Sequence, residues 1–188
     1  MHPFARSIVA YHGCEKRFAD DLLLGKKPMG EWKPSTNDWD WLGNGIYFWE
    51  HSPDRALRWA RERFRTRRQQ PAVLGEVLQL GRCFDLLDES FTILLGETYE
   101  ELVRMYAEQQ IELPKNRGRE GKMRDLDSFV INECIDLMKK RGDEYDTVRG
   151  AFLEGEPVYP SAGFSRESHI QVAVRNSDCI LGVFRPNI

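Results

Sequence analysis

Three short segments of the chain place a polar side chain among apolar residues. His12 follows the apolar run 7–11, Tyr47 lies in GNGIYF, and Gln171 lies in HIQVAV. Side chains alternate between the two faces of a strand, so Gln171 points away from the apolar residues on either side of it. An imidazole, a phenol ring and a carboxamide bind ligands through hydrogen bonds and ring contacts. We therefore take these three residues as candidate site residues.

Each of the three residues also has an ordinary structural explanation. His12 alone is more typical of a partly buried histidine with its hydrogen bonds satisfied, and Tyr47 alone is more typical of a core residue. Gln171 alone is typical of an exposed strand position. Their joint occurrence on three different predicted strands favours a shared site.

Strands at both ends of the chain with helices between them predict the elements that position these residues. The apolar patterns predict strands at 7–11, 45–49, 73–80, 83–87, 147–153, 170–175 and 180–184, and helices at 15–24, 52–68, 99–110 and 126–140. A turn at His12-Gly13 is predicted to end the first strand. The pattern predicts one α+β domain over residues 1–188, with a mixed sheet and a helical insertion at about 90–141.

Composition limits the classes of function. With 188 residues and 41% hydrophobic content the chain can build one buried core, and its net charge of −3 gives no overall field for nucleic acid or membrane. No apolar run is long enough to span a membrane. The cysteines form no CxxC pair or metal-type spacing, which predicts reduced thiols in a cytoplasmic protein and no metal site. They are Cys14, Cys83, Cys134 and Cys179.

Local basic segments have two interpretations. The predicted helix at 52–68 carries seven arginines, at positions 55, 58, 61, 63, 65, 67 and 68. The commoner interpretation is a solvated amphipathic face, and the alternative is a phosphate-binding stripe for a nucleic-acid acceptor. A basic loop, with Lys115, Arg117, Arg119, Lys122 and Arg124, extends the second interpretation.

Two further features also leave alternatives open. Residues 26–41 form an aromatic loop in which Trp32, Trp39 and Trp41 either pack structurally or cover a ligand pocket. In YDTVRGAF, Arg149 is placed either to bind a phosphate or to form an internal salt bridge with Asp146 or another acid.

Taken in order, the motifs resemble a known superfamily. The HG pair, the GxGIYF segment followed by a helix of the form SPxRAxxWA, and a late strand with one polar residue are similar to the ADP-ribosyltransferases of the histidine-tyrosine-glutamate branch. Diphtheria-type toxins and poly(ADP-ribose) polymerases belong to this branch. The resemblance spans almost the whole chain. It implies a split mixed sheet with flanking helices, and it implies transfer of ADP-ribose from NAD⁺ to RNA, DNA or protein.

The resemblance also implies a role for each matching residue. His12 would hydrogen-bond the ribose on the adenosine side of NAD⁺, and the backbone of Gly13 would hold the nicotinamide amide. Cys14 stands where the polymerases have a serine near that amide. Tyr47 would stack on the nicotinamide ring, and Gly45 would let the ring come close.

The sequence departs from the family at the third position, where Gln171 replaces the catalytic glutamate. A neutral amide can hydrogen-bond a ribose hydroxyl but supplies neither charge nor base, so single transfer is expected and chain elongation is not. Glu167, four residues earlier, would substitute only if the strand began earlier or a turn brought its carboxylate round. The alternatives are an NAD⁺ glycohydrolase and a catalytically inactive module that binds NAD⁺ or ADP-ribose. A compact catalytic domain is typical of bacterial toxins and phage-defence effectors, for which a neutralising antitoxin is a predicted partner.

Overall fold

The computed structural model describes residues 6–66, 68–118 and 121–188. These residues form seven strands and four α-helices, so the predicted α+β class is confirmed. The strands are β1 (Ser7–Glu15), β2 (Ile46–Glu50), β3 (Pro71–Gln79), β4 (Cys83–Asp85), β5 (Thr147–Phe152), β6 (His169–Val174) and β7 (Ile180–Phe184). The helices are α1 (Lys16–Leu23), α2 (Pro53–Phe64), α3 (Glu89–Glu108) and α4 (Asp125–Lys140).

The strands make one mixed sheet in the order β4-β5-β6-β2-β1-β3-β7, in which β4 and β5 are parallel and the other neighbours are antiparallel. Strand β1 pairs with β3 from Ser7 to Glu15. Against β2 it pairs only at Ala10↔Glu50 and Tyr11↔Trp49. Beyond these pairs β1 and β2 diverge, and we call this divergence the fork.

The first strand is longer than its sequence predicts. The predicted turn at His12-Gly13 is wrong, because residues 12–15 continue the ladder with β3. Gly13 allows α2 to approach this part of the strand. A Cβ atom at Gly13 would lie 2.4 Å from the carbonyl oxygen of Ala56 and 3.1 Å from the ring of Trp59. The glycine therefore serves close helix–strand packing and does not end the strand.

Strand β2 contributes to the core on both faces of the sheet. Ile46 and Phe48 join a cluster with Leu74 and Leu78 that α1 helps to cover. Tyr47, one position along, contacts the opposite cluster, which includes Phe84 and residues of α4. Helix α2 covers the same face as Tyr47 farther along, where Ala56 packs with Trp49 and Val73. The alternation of β2 thus gives Tyr47 and the Ile46–Phe48 pair different environments.

Two helices differ in extent from their predictions. Helix α2 ends at Phe64, short of the predicted 68, and Arg67 lies outside the described residues. Helix α3 begins at Glu89, ten residues before the predicted start, and the side chain of Asp88 accepts a hydrogen bond from the Ser90 N–H there. The apolar residues 91, 94 and 95 of the early turns pack against the Phe84 cluster, so tertiary contacts stabilise them.

Two general properties of the described residues bear on the predictions from composition. None of their helices combines the length and apolarity that a bilayer crossing needs. All four cysteines are free thiols, and three of them are buried.

Candidate functional site

A cavity of about 730 Å³ opens at the fork between β1 and β2. Its volume is within the range of about 300–1,000 Å³ that is typical of small-molecule sites. It is bordered by residues 12–15 of β1, residues 45–47 and 49 on the β2 side, and Gln171 of β6. The structure thus brings all six predicted site residues to one cavity: His12, Gly13, Cys14, Gly45, Tyr47 and Gln171.

His12 spans the fork where the sheet hydrogen bonds are missing. Its Nδ1 lies 2.7 Å from the carbonyl oxygen of Tyr47. A carbonyl oxygen only accepts hydrogen bonds, so Nδ1 carries the hydrogen and Nε2 of the neutral ring is an acceptor. The ring of Trp32 packs edge-on at 4.8 Å between centroids, and Phe48 lies at 5.7 Å. Nε2 therefore has a fixed position in the cavity wall.

Burial keeps His12 uncharged. Removal of the imidazole from water lowers the pKa of His12 from 6.5 to about 4, against a smaller opposing effect of the hydrogen bond to Tyr47. The ring is therefore neutral at physiological pH. Its Nε2 can accept a hydrogen bond from a ligand hydroxyl over the whole neutral range.

The hydroxyl of Tyr47 is occupied by the protein itself. It donates to the carbonyl oxygen of Gly43 at 2.6 Å and accepts from the Leu42 N–H at 2.8 Å. Burial, followed by the charge of Asp40, raises the pKa of Tyr47 well above its usual range, so the phenol stays protonated. The hydroxyl holds the 42–43 turn, and the aromatic ring is what Tyr47 offers to a ligand.

Two smaller residues of the site have physical roles that the sequence alone did not indicate. A Cβ at Gly45 would lie 3.0 Å from the Cβ of Ala173 and 3.1 Å from the carbonyl oxygen of Val174, so this glycine permits close packing on β6. Burial and, to a smaller extent, the charge of Glu76 raise the pKa of Cys14 to about 12. A thiol of that pKa stays protonated and is a poor nucleophile.

Gln171 is buried and lies opposite Trp49 in the β2–β6 ladder. Its Nε2 is 2.9 Å from Nε2 of His169, two positions earlier on the same strand. Glu167, the alternative carboxylate, precedes the start of β6 and pairs with Arg58 of α2 at 2.5 Å. Glu167 does not line the cavity. The arrangement therefore presents an amide, and not a carboxylate, to the cavity from β6.

All three tryptophans of the aromatic loop line the cavity, and two of them also have clear structural contacts. Trp32 is buried against His12 and Phe18. The indole N–H of Trp41 donates to the carbonyl oxygen of Lys122 at 2.8 Å. Trp39 is 45% exposed. Trp39 is therefore the tryptophan best placed to meet a ligand from solvent.

Charged groups around the cavity were largely missed by sequence reasoning. The cations are Lys27, Lys33, Arg55 and Arg63, and the carboxylates are Glu15, Glu31 and Asp40. Most of these lie in β1 or in the aromatic loop, which has no helical or strand periodicity. One feature of the sequence did point to these charges. The loop combines charged residues with tryptophans, and it directly precedes the candidate residues Gly45 and Tyr47.

Arg149 forms the internal salt bridge that was one of its two predicted roles. Its side chain is 5% exposed and contacts Glu50 at 2.6 Å and Asp85 at 3.0 Å. The partner is thus another acid and not Asp146. The guanidinium clamps β5 to β2 and β4 and is fully engaged by two carboxylates.

Most cations of the basic loop are also paired. Lys115 contacts Glu112, Arg117 contacts Asp125, Arg124 contacts Asp127 and Lys122 contacts Glu154, while Arg119 lies outside the described residues. On α2, Arg55 pairs with Glu154 and Arg58 with Glu167. The arginines at 61, 63, 65 and 68 are exposed and make no ion pair with the described residues. Cations without an ion pair to the described residues are therefore grouped at the C-terminal end of α2 and just beyond it.

Comparison with known proteins adds little about activity. No family model and no solved structure matches the chain. The chain is similar to an uncharacterised protein of Methanocaldococcus jannaschii, with 28% identity over 116 residues. The match covers 59% of this chain and 50% of the relative, so the chain spans about half the length of the protein it matches.

Proposed function

We propose that this protein is an NAD⁺-dependent mono-ADP-ribosyltransferase and that NAD⁺ binds in the cavity at the fork. The observation that carries the proposal is that residues distant in sequence meet at one cavity. Six residues nominated by the resemblance come from three separated segments of sequence, and all six line one cavity of about 730 Å³. Chance similarity of short motifs gives no reason for that convergence.

The chemistry of the cavity wall fits the parts of NAD⁺. The oxidised nicotinamide ring is a cation, which suits the face of the Tyr47 ring. Neutral His12 offers Nε2 as an acceptor for a ribose hydroxyl. Lys27, Lys33 and Arg63 line the same cavity and suit the pyrophosphate.

In the proposed reaction the bond between nicotinamide nitrogen and ribose carbon breaks, and positive charge develops on the ribose. A nucleophile of the acceptor forms the new bond to that carbon and loses its proton, while neutral nicotinamide leaves. Gln171 supplies a hydrogen-bond acceptor to the ribose but no charge. Asp40 lines the cavity and its charge reaches Tyr47, so it adds a negative field inside the cavity while positive charge develops on the ribose. With no carboxylate at position 171, slow single transfer is expected.

The acceptor is proposed to be a macromolecule, RNA, DNA or protein. The exposed arginines at the end of α2 favour a polyanion, because Arg63 both lines the cavity and belongs to this group. A nucleic acid bound along α2 would bring its bases or ends to the cavity mouth.

The test is incubation of the purified protein with NAD⁺ labelled in its adenylate phosphate. Separate reactions contain RNA, DNA or lysate protein, and released nicotinamide is measured by chromatography. Tyr47→Ala is the site variant. Tyr159→Ala is its matched control, because Tyr159 is 60% exposed and does not line the cavity.

The expected result is label in one acceptor pool that is lost in Tyr47→Ala and kept in Tyr159→Ala. Nicotinamide release without label in any pool would identify a glycohydrolase instead. Saturable NAD⁺ binding with neither product would favour an inactive binding module, an outcome to which the amide of Gln171 points. Absence of NAD⁺ binding would overturn the proposal.

A further inference from the structure

His169 begins β6 with its side chain 1% exposed. Its Nδ1 lies 2.7 Å from the backbone carbonyl oxygen of Glu167. The carbonyl can only accept, so the hydrogen of the neutral imidazole sits on Nδ1. Nε2 of His169 is therefore a lone-pair acceptor. The protein backbone alone sets this tautomer, before any ligand is considered.

The tautomer of His169 dictates the orientation of the Gln171 amide. Nε2 of Gln171 lies 2.9 Å from Nε2 of His169. The amide nitrogen only donates and the bare imidazole nitrogen only accepts, so the hydrogen bond runs from Gln171 to His169. A flipped amide would set its oxygen against the imidazole lone pair. With one amide N–H donated to His169, the amide oxygen is the acceptor that Gln171 offers to a ligand, and no hydrogen bond from the described residues reaches it.

The surroundings of His169 favour the neutral ring. Burial lowers the pKa of His169, and Arg55 of α2 acts in the same direction. The Glu167 carbonyl and the carboxylates of Glu154 and Glu167 oppose this, with Glu154 at 3.7 Å from Nδ1. The ring of Trp41 is stacked at 6.2 Å between centroids, at an interplanar angle of 26°. The imidazole is thus fixed in position and charge from several sides.

We infer that His169 is a positioning residue for ADP-ribosyl transfer, which holds the Gln171 amide with its oxygen available to a ribose hydroxyl of NAD⁺. The inference rests on the proposed function. It also explains the side chain at position 171, because a carboxylate there would face the lone pair of Nε2 with no hydrogen to offer. An amide is the group that a neutral His169 accommodates.

Two substitutions of His169 separate its two nitrogens. In His169→Asn the amide nitrogen reproduces the donor of Nδ1 but nothing replaces the Nε2 acceptor. In His169→Gln the longer side chain can place an amide oxygen near the Nε2 position, which restores an acceptor for Gln171. Loss of turnover in His169→Asn with recovery in His169→Gln is the result that only the contact at Nε2 explains.

The kinetic test measures nicotinamide release at several NAD⁺ concentrations, in the presence of the acceptor pool that takes up label. His169→Asn is expected to lower kcat by about tenfold with KM changed less than about twofold, because one hydrogen bond is misdirected. His169→Gln is expected to recover most of kcat. Equal losses of kcat in both variants, together with lowered thermal stability, would assign His169 a purely structural role and overturn the inference. An unchanged kcat in His169→Asn would also overturn it. If the unmodified protein releases no nicotinamide with any acceptor pool, the proposed function fails, and the contact between His169 and Gln171 is then judged by the second measurement alone.

A second measurement does not depend on turnover. Nitrogen-15 NMR of labelled protein reports which imidazole nitrogen carries hydrogen, with His169→Asn used to assign the signals. The expected result at pH 7 is a neutral His169 with hydrogen on Nδ1. Gln171→Glu is expected to raise the pKa of His169, because only an imidazolium can donate to the new carboxylate. Hydrogen on Nε2 in the unmodified protein, or an unchanged pKa in Gln171→Glu, would overturn the inference.

Discussion

Replacement of His12 by asparagine should remove much of the acid sensitivity of folding. The folded protein holds His12 neutral with a pKa lowered from 6.5 to about 4, whereas the unfolded chain takes up a proton near 6.5. Below pH 6.5 the unfolded state thus binds more protons, so stability falls as the pH falls toward 4. At about 1.4 kcal/mol for each pKa unit, the loss from pH 7 is about 2 kcal/mol at pH 5 and about 3 kcal/mol at pH 4.

The assay is urea unfolding of wild type and His12→Asn at pH 7, 6, 5 and 4, followed by tryptophan fluorescence. Asparagine keeps a donor near the Nδ1 position for the Tyr47 carbonyl, so the variant removes the titration and retains the bridge across the fork. His51→Asn is the matched control, since His51 is exposed in a turn at φ +52°, which asparagine tolerates. The difference between wild type and His12→Asn should change by about 2 kcal/mol between pH 7 and pH 5. The reasoning would be refuted if the free energies of unfolding of wild type and His12→Asn changed in parallel with pH.

Three other substitutions test separate parts of the account. Gly13→Ala should lower the free energy of unfolding by about 1–3 kcal/mol, because its Cβ would lie 2.4 Å from the Ala56 carbonyl oxygen. Gly182→Ala is the control and should change stability little, because a Cβ there would meet open space. Equal shifts of the melting temperature in the two variants would contradict this. Burial raises the pKa of the Glu76 carboxyl well above 4.5, so above that pH the unfolded chain loses a proton that the folded protein keeps, and wild type loses stability. Glu76→Gln removes this loss and should therefore stabilise the protein increasingly as the pH rises above 4.5. A difference in the free energy of urea unfolding that does not depend on pH would argue against it. Tyr47→Phe keeps the aromatic ring and loses the two hydroxyl hydrogen bonds, so it should release nicotinamide faster than Tyr47→Ala. An equal loss of nicotinamide release in both variants would count against ring stacking.

The predictable parts of the fold are those with a local signal. A continuous apolar segment located β2, alternating apolar residues located β6, and the serine-proline pair at 52–53 marked the start of α2. The continuation of β1 past His12 had no such signal, because pairing with β3 and packing of Gly13 on α2 hold it straight. Tertiary contacts decided that boundary, as they did the early start of α3.

The candidate site shows the same division. Polar residues in apolar strands could be found by pattern, whereas Lys27 and Asp40 come from a loop without periodicity and reach the cavity through tertiary structure. The pairing of His169 with Gln171 did have a signal that the sequence reasoning did not use. Residues two apart on a strand share a face, so the HIQ triplet places the imidazole and amide side by side.

The central claim is that NAD⁺ occupies the fork between β1 and β2, and the most direct test is a crystal structure with an NAD⁺ analogue whose glycosidic bond resists cleavage. The account predicts the nicotinamide-like ring against the Tyr47 ring and a ribose hydroxyl within hydrogen-bond distance of His12 Nε2. An analogue bound elsewhere, or a fork that stays empty at saturating analogue concentration, would contradict it.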